Sequence, residues 1–282
     1  MGTLFIVATP IGNLKDMTQR AIETLNKVDY ILCEDTRNSI KLLNHFDIKN
    51  KLVSYHKFNE TEKTNKVLKD LKNNKNIALI SDAGSPCISD PGYILVKSAK
   101  ESNIPVIGIG GISALITALS ISGLDSNNFT FHGFFPRENK DKNKLIKEIE
   151  NSNILTHIFY ESPKRIIKTL EYLNTNLGNI KISVSKELTK VHEKNYYGSI
   201  DKVLDKLKND EKATSGEYTF IIEKEIKENK ESSISIEALL VDQMIKENIS
   251  LKEAINNLNT KYDNLSKKDI YNASLNLKEI IK

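Results

Sequence analysis

Short apolar runs alternate with amphipathic stretches along most of the chain. The runs at residues 4–8, 30–33, 52–55, 77–80 and 106–109 read as strands, and the stretches at 19–28, 39–46, 60–71, 92–99 and 113–121 carry helical spacing. Strict alternation of this kind predicts a largely parallel sheet covered by helices. A turn-rich break at 123–128 marks a junction. Beyond it a second set of strands is expected at 129–132, 154–160, 180–185, 195–197 and 218–222, with helical patterns at 144–150, 166–177 and 201–207. Residues 224–233 are charged and polar, as a linker would be. Three helical patterns then close the chain, two of them opening with capping-box spacing, Ser250 with Glu253 and Ser266 with Asp269. The organisation is therefore an α/β domain over 1–123, a second over 124–226 and a helical module over 234–282.

Three strand ends run into loops of glycine, proline and small polar residues. Thr9-Pro10-Ile11-Gly12-Asn13-Leu14 closes the first run. Ser81-Asp82-Ala83-Gly84-Ser85-Pro86 opens a longer loop that continues to Gly92, and Gly108-Ile109-Gly110-Gly111-Ile112-Ser113 ends the fifth run. Open α/β sheets hold ligands at such carboxyl ends. Gly84 lets backbone approach a ligand, and Asp82 offers a carboxylate to an ammonium or hydroxyl. Asp90-Pro91 reads as a helix start. The dinucleotide fingerprint is not met, since its third glycine falls at Ser113, and the Walker lysine signature is absent. Hydride transfer and phosphate hydrolysis lose ground. Taken alone, the acidic loop is equally an ordinary strand-to-helix turn.

Composition narrows this picture modestly. The 282 residues are 39% hydrophobic and 28% charged, with net charge +4, as expected of a globular protein compatible with an RNA partner. The two cysteines, Cys33 and Cys87, lack metal-type spacing and fit a reducing cytoplasmic compartment. The first apolar run stops at Pro10, so no signal peptide is read, and no stretch is long enough to span a membrane. The segment 223–282 holds 10 basic and 11 acidic residues, which argues against a simple basic clamp.

Thr9 to Leu14, Glu34-Asp35-Thr36-Arg37, residues 81–92, Phe159-Tyr160-Glu161-Ser162-Pro163, Arg165 and Lys186-Glu187-Leu188-Thr189-Lys190 occur in that order. Together they resemble the ribosomal RNA small subunit methyltransferase I family, 2′-O-ribose methyltransferases with the tetrapyrrole methylase fold. The resemblance implies two α/β domains with a cofactor cleft between them and a small C-terminal helical module. It implies S-adenosylmethionine as cofactor and no metal. Pro10, Asp82, Gly84, Ile88, Ser113, Ala114 and Leu188 would surround the cofactor. The implied substrate is a cytidine of 16S ribosomal RNA near the decoding centre, as naked RNA or in the assembled small subunit, and the implied assembly is a homodimer. Two positions depart from the family pattern: Gly110-Gly111 stands where Pro-Gly is usual, and Lys164 where histidine is usual. The fold also hosts methylation of small macrocyclic substrates, and a non-catalytic RNA-binding module is a third reading.

A ribose hydroxyl must lose its proton on methylation. The candidate catalytic residues are Glu187, Lys186 and Asp35, with Glu34 and Glu161 as further acids beside the motifs. Salt bridging to Arg37 is the structural alternative for Glu34 and Asp35, and loop capping for Glu187. Only four of the 41 basic residues are arginine. Three of these, Arg37, Arg137 and Arg165, lie in or beside the motifs and are candidates for RNA phosphate contacts or buried carboxylate pairs. Tyr55, His56 and Phe58 are candidates for base stacking or, for the tyrosine and phenylalanine, core packing.

Overall fold

In a computed structural model the first strand, β1 (Leu4–Val7), lies between β4 (Ile77–Leu79) and β5 (Val106–Ile109). With β2 (Tyr30–Cys33) and β3 (Leu52–Ser54) they form a parallel sheet of order β3-β2-β4-β1-β5. The structure describes residues 1–224, 235–261 and 266–280. Parallel strands buried on both faces need apolar residues at nearly every position, which is why these runs are continuous rather than alternating. Helices α1 (Gln19–Lys27) and α2 (Thr36–His45) cover one face through Leu25 and Leu43, packed with Val7, Ile31 and Ile80. Helices α3 (Glu60–Lys72) and α4 (Tyr93–Glu101) cover the other through Leu71 and Leu95, packed with Leu4, Leu32 and Leu79.

The neighbours β1 and β4 thus send their chains to opposite faces. That is the topological switch point of the sheet, and open α/β sheets place their ligand crevice at the carboxyl ends of such strands. An antiparallel bridge fixes it: Thr9 N–H donates to the Gly84 carbonyl at 2.8 Å and Gly84 N–H to Thr9 at 3.0 Å. The buried Thr9 hydroxyl donates to the Ser81 carbonyl at 3.1 Å. Gly84 holds φ +77°, a conformation in which a side chain would be strained.

Helix α5 (Ala114–Ser120) leads to the second sheet, of order β6-β7-β10-β8-β9. Its strands are β6 (Phe129–Phe134), β7 (Thr156–Glu161), β8 (Lys181–Lys186), β9 (Lys194–Ser199) and β10 (Tyr218–Glu223). One face packs Phe159, Val184 and Phe220 beneath α6 (Asn139–Asn151), α7 (Ile166–Leu177) and α8 (Ile200–Lys208). The opposite face packs Ile158, Ile221 and Leu188 against Ile11, Ala118 and Leu119, so α5 and the loop after β1 join the two sheets. The expected junction at 123/124 does separate the strands of the two sheets, yet the described residues 1–224 belong to one compact unit.

The second unit contains α9 (Ile236–Glu247), α10 (Leu251–Lys261) and α11 (Lys267–Ile280), packed on Leu240, Leu258, Ile270 and Leu277. The first capping box closes reciprocally, Glu253 N–H donating to the Ser250 hydroxyl at 3.4 Å and Ser250 N–H to Glu253 at 2.9 Å, and at the second Asp269 N–H donates to Ser266 at 3.1 Å. The linker expected at 224–233 lies, from residue 225 onward, outside the described residues.

Candidate active site

Five of the seven expected cofactor residues converge on the crevice. Pro10 is buried directly after the Thr9–Gly84 bridge. Ile11 packs with Ala114 and Leu188, and a side chain on Gly84 would touch Ile11. Ser113 stands at the N-cap of α5, and its hydroxyl makes no capping hydrogen bond there. Gly111 must be glycine because a Cβ there would stand 2.9 Å from the Ala8 Cβ. The other two residues sit on the rim. Ile88 is 44% exposed on the loop between β4 and α4. Asp82 is exposed, and its oxygens accept from Asp35 N–H at 3.3 Å and the Asn38 amide at 3.0 Å, tying this loop to the start of α2.

Four carboxylates gather at the ends of β2 and β4. Asp35 caps α2, accepting from Arg37 N–H at 2.8 Å and forming a fork with the Arg37 guanidinium. Those bonds hold its carboxyl down at about 2, which makes it a weak base. Burial and the facing Asp82 charge raise Glu34 above the usual range, and its carboxylate makes no hydrogen bond among the described residues. Asp90 is pushed up to about 6 by burial and by Glu34, although a Ser81 hydrogen bond opposes the shift. Asp90 does not cap α4. Gly92 at φ 131° takes that position, and Asp90 lies half-buried beside Ser81 and Glu34.

The remaining catalytic candidates are held in structural networks. Lys186 shares the strand face of Ile182 and Val184, away from the crevice, where it pairs with Asp210 at 3.1 Å with both side chains at least nine-tenths buried. Glu187, at φ 55°, accepts from Lys190 at 2.8 Å and Glu217 N–H at 3.0 Å. These bonds shape the turn that presents Leu188. The Lys190 stem in turn fills the space beside Gly12. Glu161 also faces away from the crevice, accepting from Ser162 N–H and from Thr169 at 2.6 Å.

The three motif arginines have different surroundings. Arg37 is 87% exposed and paired with Asp35. Arg165 pairs with the buried Glu161 at 3.2 Å and donates to the carbonyls of Phe135 and Pro136 at 2.9 and 2.8 Å. Arg137, which those carbonyls precede, is exposed and makes no hydrogen bond or ion pair among the described residues. Tyr55 is a core residue, fully buried with its hydroxyl 2.9 Å from Thr64. His56 contacts Asn59 and the edge of the exposed Phe58 ring. Lys164 is exposed in the turn before α7.

Sequence reasoning passes over Tyr160. Its ring lies on the crevice face, its hydroxyl accepts from Leu115 N–H at the start of α5, and it faces Asp90. Its parity with Ile158 along β7 is the signal that finds it. The crevice thus offers backbone groups, an apolar wall and unpaired carboxylate charge. That set suits a cationic, nucleoside-like ligand better than an anionic one.

A family model described as Tetrapyrrole (Corrin/Porphyrin) Methylases matches residues 3–204. Ribosomal RNA small subunit methyltransferase I of Halalkalibacterium halodurans is 43% identical, covering 96% of this chain and 94% of its own. The protein of that name from Escherichia coli O157:H7 is 41% identical over 90% and 88%, and that from Bacillus subtilis 39% over 97% and 94%. Among solved structures, uroporphyrin-III-C-methyltransferase of Thermus thermophilus superposes with TM-score 0.54 at 15% identity, over 79% of this chain and 95% of the other. A diphthine synthase superposes with TM-score 0.63 at 11% identity, over 79% and 90%. The last two share the fold.

Proposed function

We infer that this chain, which belongs to the tetrapyrrole methylases and within them to the ribosomal RNA small subunit methyltransferase I family, methylates a ribose 2′-hydroxyl of a cytidine in small-subunit ribosomal RNA near the decoding centre. The observation that carries the reading is identity of about two residues in five with proteins of that name over nearly their full length.

S-adenosylmethionine fits the crevice as methyl donor and would supply an electrophilic sulfonium methyl. Pro10, Gly84, Ser113, Ala114 and Leu188 would hold it, with Ile88 at the rim, and the chain's main contribution is orientation and electrostatics. Glu34 and Asp90 supply negative charge on the side where a cationic group is favoured. Glu34 is the assigned proton acceptor. Its carboxylate makes no hydrogen bond among the described residues, and burial raises its pKa, whereas the Arg37 hydrogen bonds depress that of Asp35 and weaken it as a base. Asp82 acts through Asp35 and Asn38, holding the acidic rim in place. Arg137 is the assigned phosphate contact. The acceptor is ribosomal RNA, free or in the assembled subunit, and the working form is a homodimer, as the family resemblance implies.

Incubating the purified protein and labelled S-adenosylmethionine with small subunits, and separately with their naked RNA, tests the reading. A ribose 2′-O-methyl group blocks alkaline cleavage at one phosphodiester, so the product appears as a single gap in a hydrolysis ladder at a cytidine. Label on a base, a gap elsewhere, or no incorporation into either substrate overturns the assignment.

A further inference from the structure

We propose that Phe134 is the platform on which a base of the RNA substrate stacks beside the crevice. The proposal rests on the RNA-methylating reading and adds a substrate-positioning residue to it.

The geometry begins in β6. Phe131 pairs with Ile158 and Phe134 with Tyr160, so three steps along β6 match two along β7. The extra residue shifts the side-chain parity, and a bulge on an edge strand commonly re-aims a side chain in this way. Phe134 is thereby placed with Phe131 and Tyr160 on the crevice side, while Phe135 turns into the opposite core. Gly133 supports the shift at φ +70°, and its open side faces the Ser89 hydroxyl of the loop between β4 and α4, where a Cβ would lie 3.4 Å away. The edge strand therefore reaches the rim that carries Ile88 and Asp90.

Phe134 is held there but not covered. Its ring meets the Tyr160 ring edge-on at 5.7 Å, and Phe131 meets Tyr160 at 4.9 Å, yet Phe134 remains 60% exposed. Tyr160 is itself fixed by the Leu115 N–H, next to the Ser113 and Ala114 positions assigned to the cofactor. Three residues after Phe134 stands Arg137, unpaired among the described residues. The intervening carbonyls of Phe135 and Pro136 are locked by Arg165. An exposed aromatic face and a free guanidinium on one rigid segment are the two groups that single-stranded RNA engages, one for a base and one for a phosphate. The polar run after the ring, Arg137, Glu138, Asn139 and Lys140, is exposed throughout and favours this occupant over an apolar face of a second copy.

The chain contains no tryptophan, so Phe134→Trp places a single reporter at the platform. Emission of this variant is titrated with naked small-subunit RNA and with assembled subunits. Phe134→Ala and Phe134→Leu are compared with the parent in methyl transfer to the same substrates. Quenching of Trp emission at saturating RNA is expected, together with a roughly 5- to 150-fold rise in KM for RNA in the Ala and Leu variants, the range base stacking spans. The Trp variant, which keeps an aromatic face, should hold KM for RNA nearer the parent than the Ala and Leu variants do, with unchanged S-adenosylmethionine affinity throughout. Unquenched emission, or Ala and Leu variants with the parent's KM, overturns the platform. So does a change confined to sedimentation, which would assign the ring to self-association. A parent inactive on both RNAs with quenching intact would remove the methylation assignment and leave the platform standing, so the two failures are distinguishable.

Discussion

Gly111 approaches Ala8 so closely that a Cβ on it would stand 2.9 Å from the Ala8 Cβ, whereas a Cβ on the adjacent Gly110 would meet nothing within 4 Å. The two glycines of one loop therefore have opposite tolerances. Gly110→Ala is expected to be neutral or to stabilise by about 0.4–1 kcal/mol, since it mainly restricts the unfolded chain. Gly111→Ala should destabilise and lower S-adenosylmethionine affinity, because β1 and the loop after β5 must separate. Thermal unfolding and calorimetry of the two variants check this. Equal effects would mean that the loop adjusts freely.

The Lys186–Asp210 pair gives a second prediction. Asp210 also accepts from Tyr196 at 2.7 Å and faces Lys194 at 3.2 Å, and these hydrogen bonds keep its carboxyl well below the usual range. A carboxylate depressed on folding contributes stability above its unfolded pKa of about 4, and that stability is lost as pH falls through the folded value. Lys186→Met removes one partner from a buried charge and should cost about 3 kcal/mol at neutral pH, with a smaller cost below pH 3. Because Lys186 faces away from the crevice, methyl transfer at a permissive temperature should persist. Chemical denaturation at two pH values, with an activity assay, tests both halves.

How far the site was legible follows from the same residues. Apolar runs mark the strands of both sheets apart from β9, because burial on two faces leaves few polar positions. Only the middle of β9 is visible, since Lys194–Ser199 is an edge strand with little apolar content. The helix expected at 144–150 begins at Asn139, where a polar first turn carries no periodic signal. Motif membership brings residues to the neighbourhood of the crevice but does not say which way they face. Lys186 is turned away by strand parity, and its partner Asp210 lies 24 residues further on. Arg165 reaches carbonyls about 30 residues earlier in the chain. The bulge that turns Phe134 has no sequence signature beyond Gly133, and Asp90-Pro91 reads as a cap only until the φ of Gly92 is known.

The arginines separate a contact from a support. Arg137→Gln should weaken binding to small-subunit RNA and lower its salt dependence by roughly one counterion, leaving unfolding unchanged because the side chain is exposed and unpaired. Arg165→Lys keeps the charge but loses the fork that reaches Glu161 and the two carbonyls. It should lower the unfolding midpoint and weaken RNA binding while the salt slope stays at the parent value. A reduced slope in Arg165→Lys would make that residue a direct phosphate contact.

Asp90 supplies the pH test. Its carboxyl is pushed up to about 6 by burial and by Glu34, above an unfolded value near 4. The folded state then binds the proton more tightly than the unfolded chain, so stability from this residue is fully present below about pH 4 and is lost as pH rises through 6. Asp90→Asn cannot ionise, and it should unfold at a higher temperature than the parent at pH 7–8 but at the same temperature near pH 4. The gain has a functional cost. Removing a carboxylate from the acidic end of the crevice should weaken S-adenosylmethionine binding at pH 7–8, and the difference should shrink as Asp90 protonates in the parent below pH 6. Unfolding and cofactor titrations across pH 4–8 read both curves. A stability gain that is constant with pH would mean that Asp90 ionises alike in the folded and unfolded chain, and a constant affinity difference would place its effect outside electrostatics.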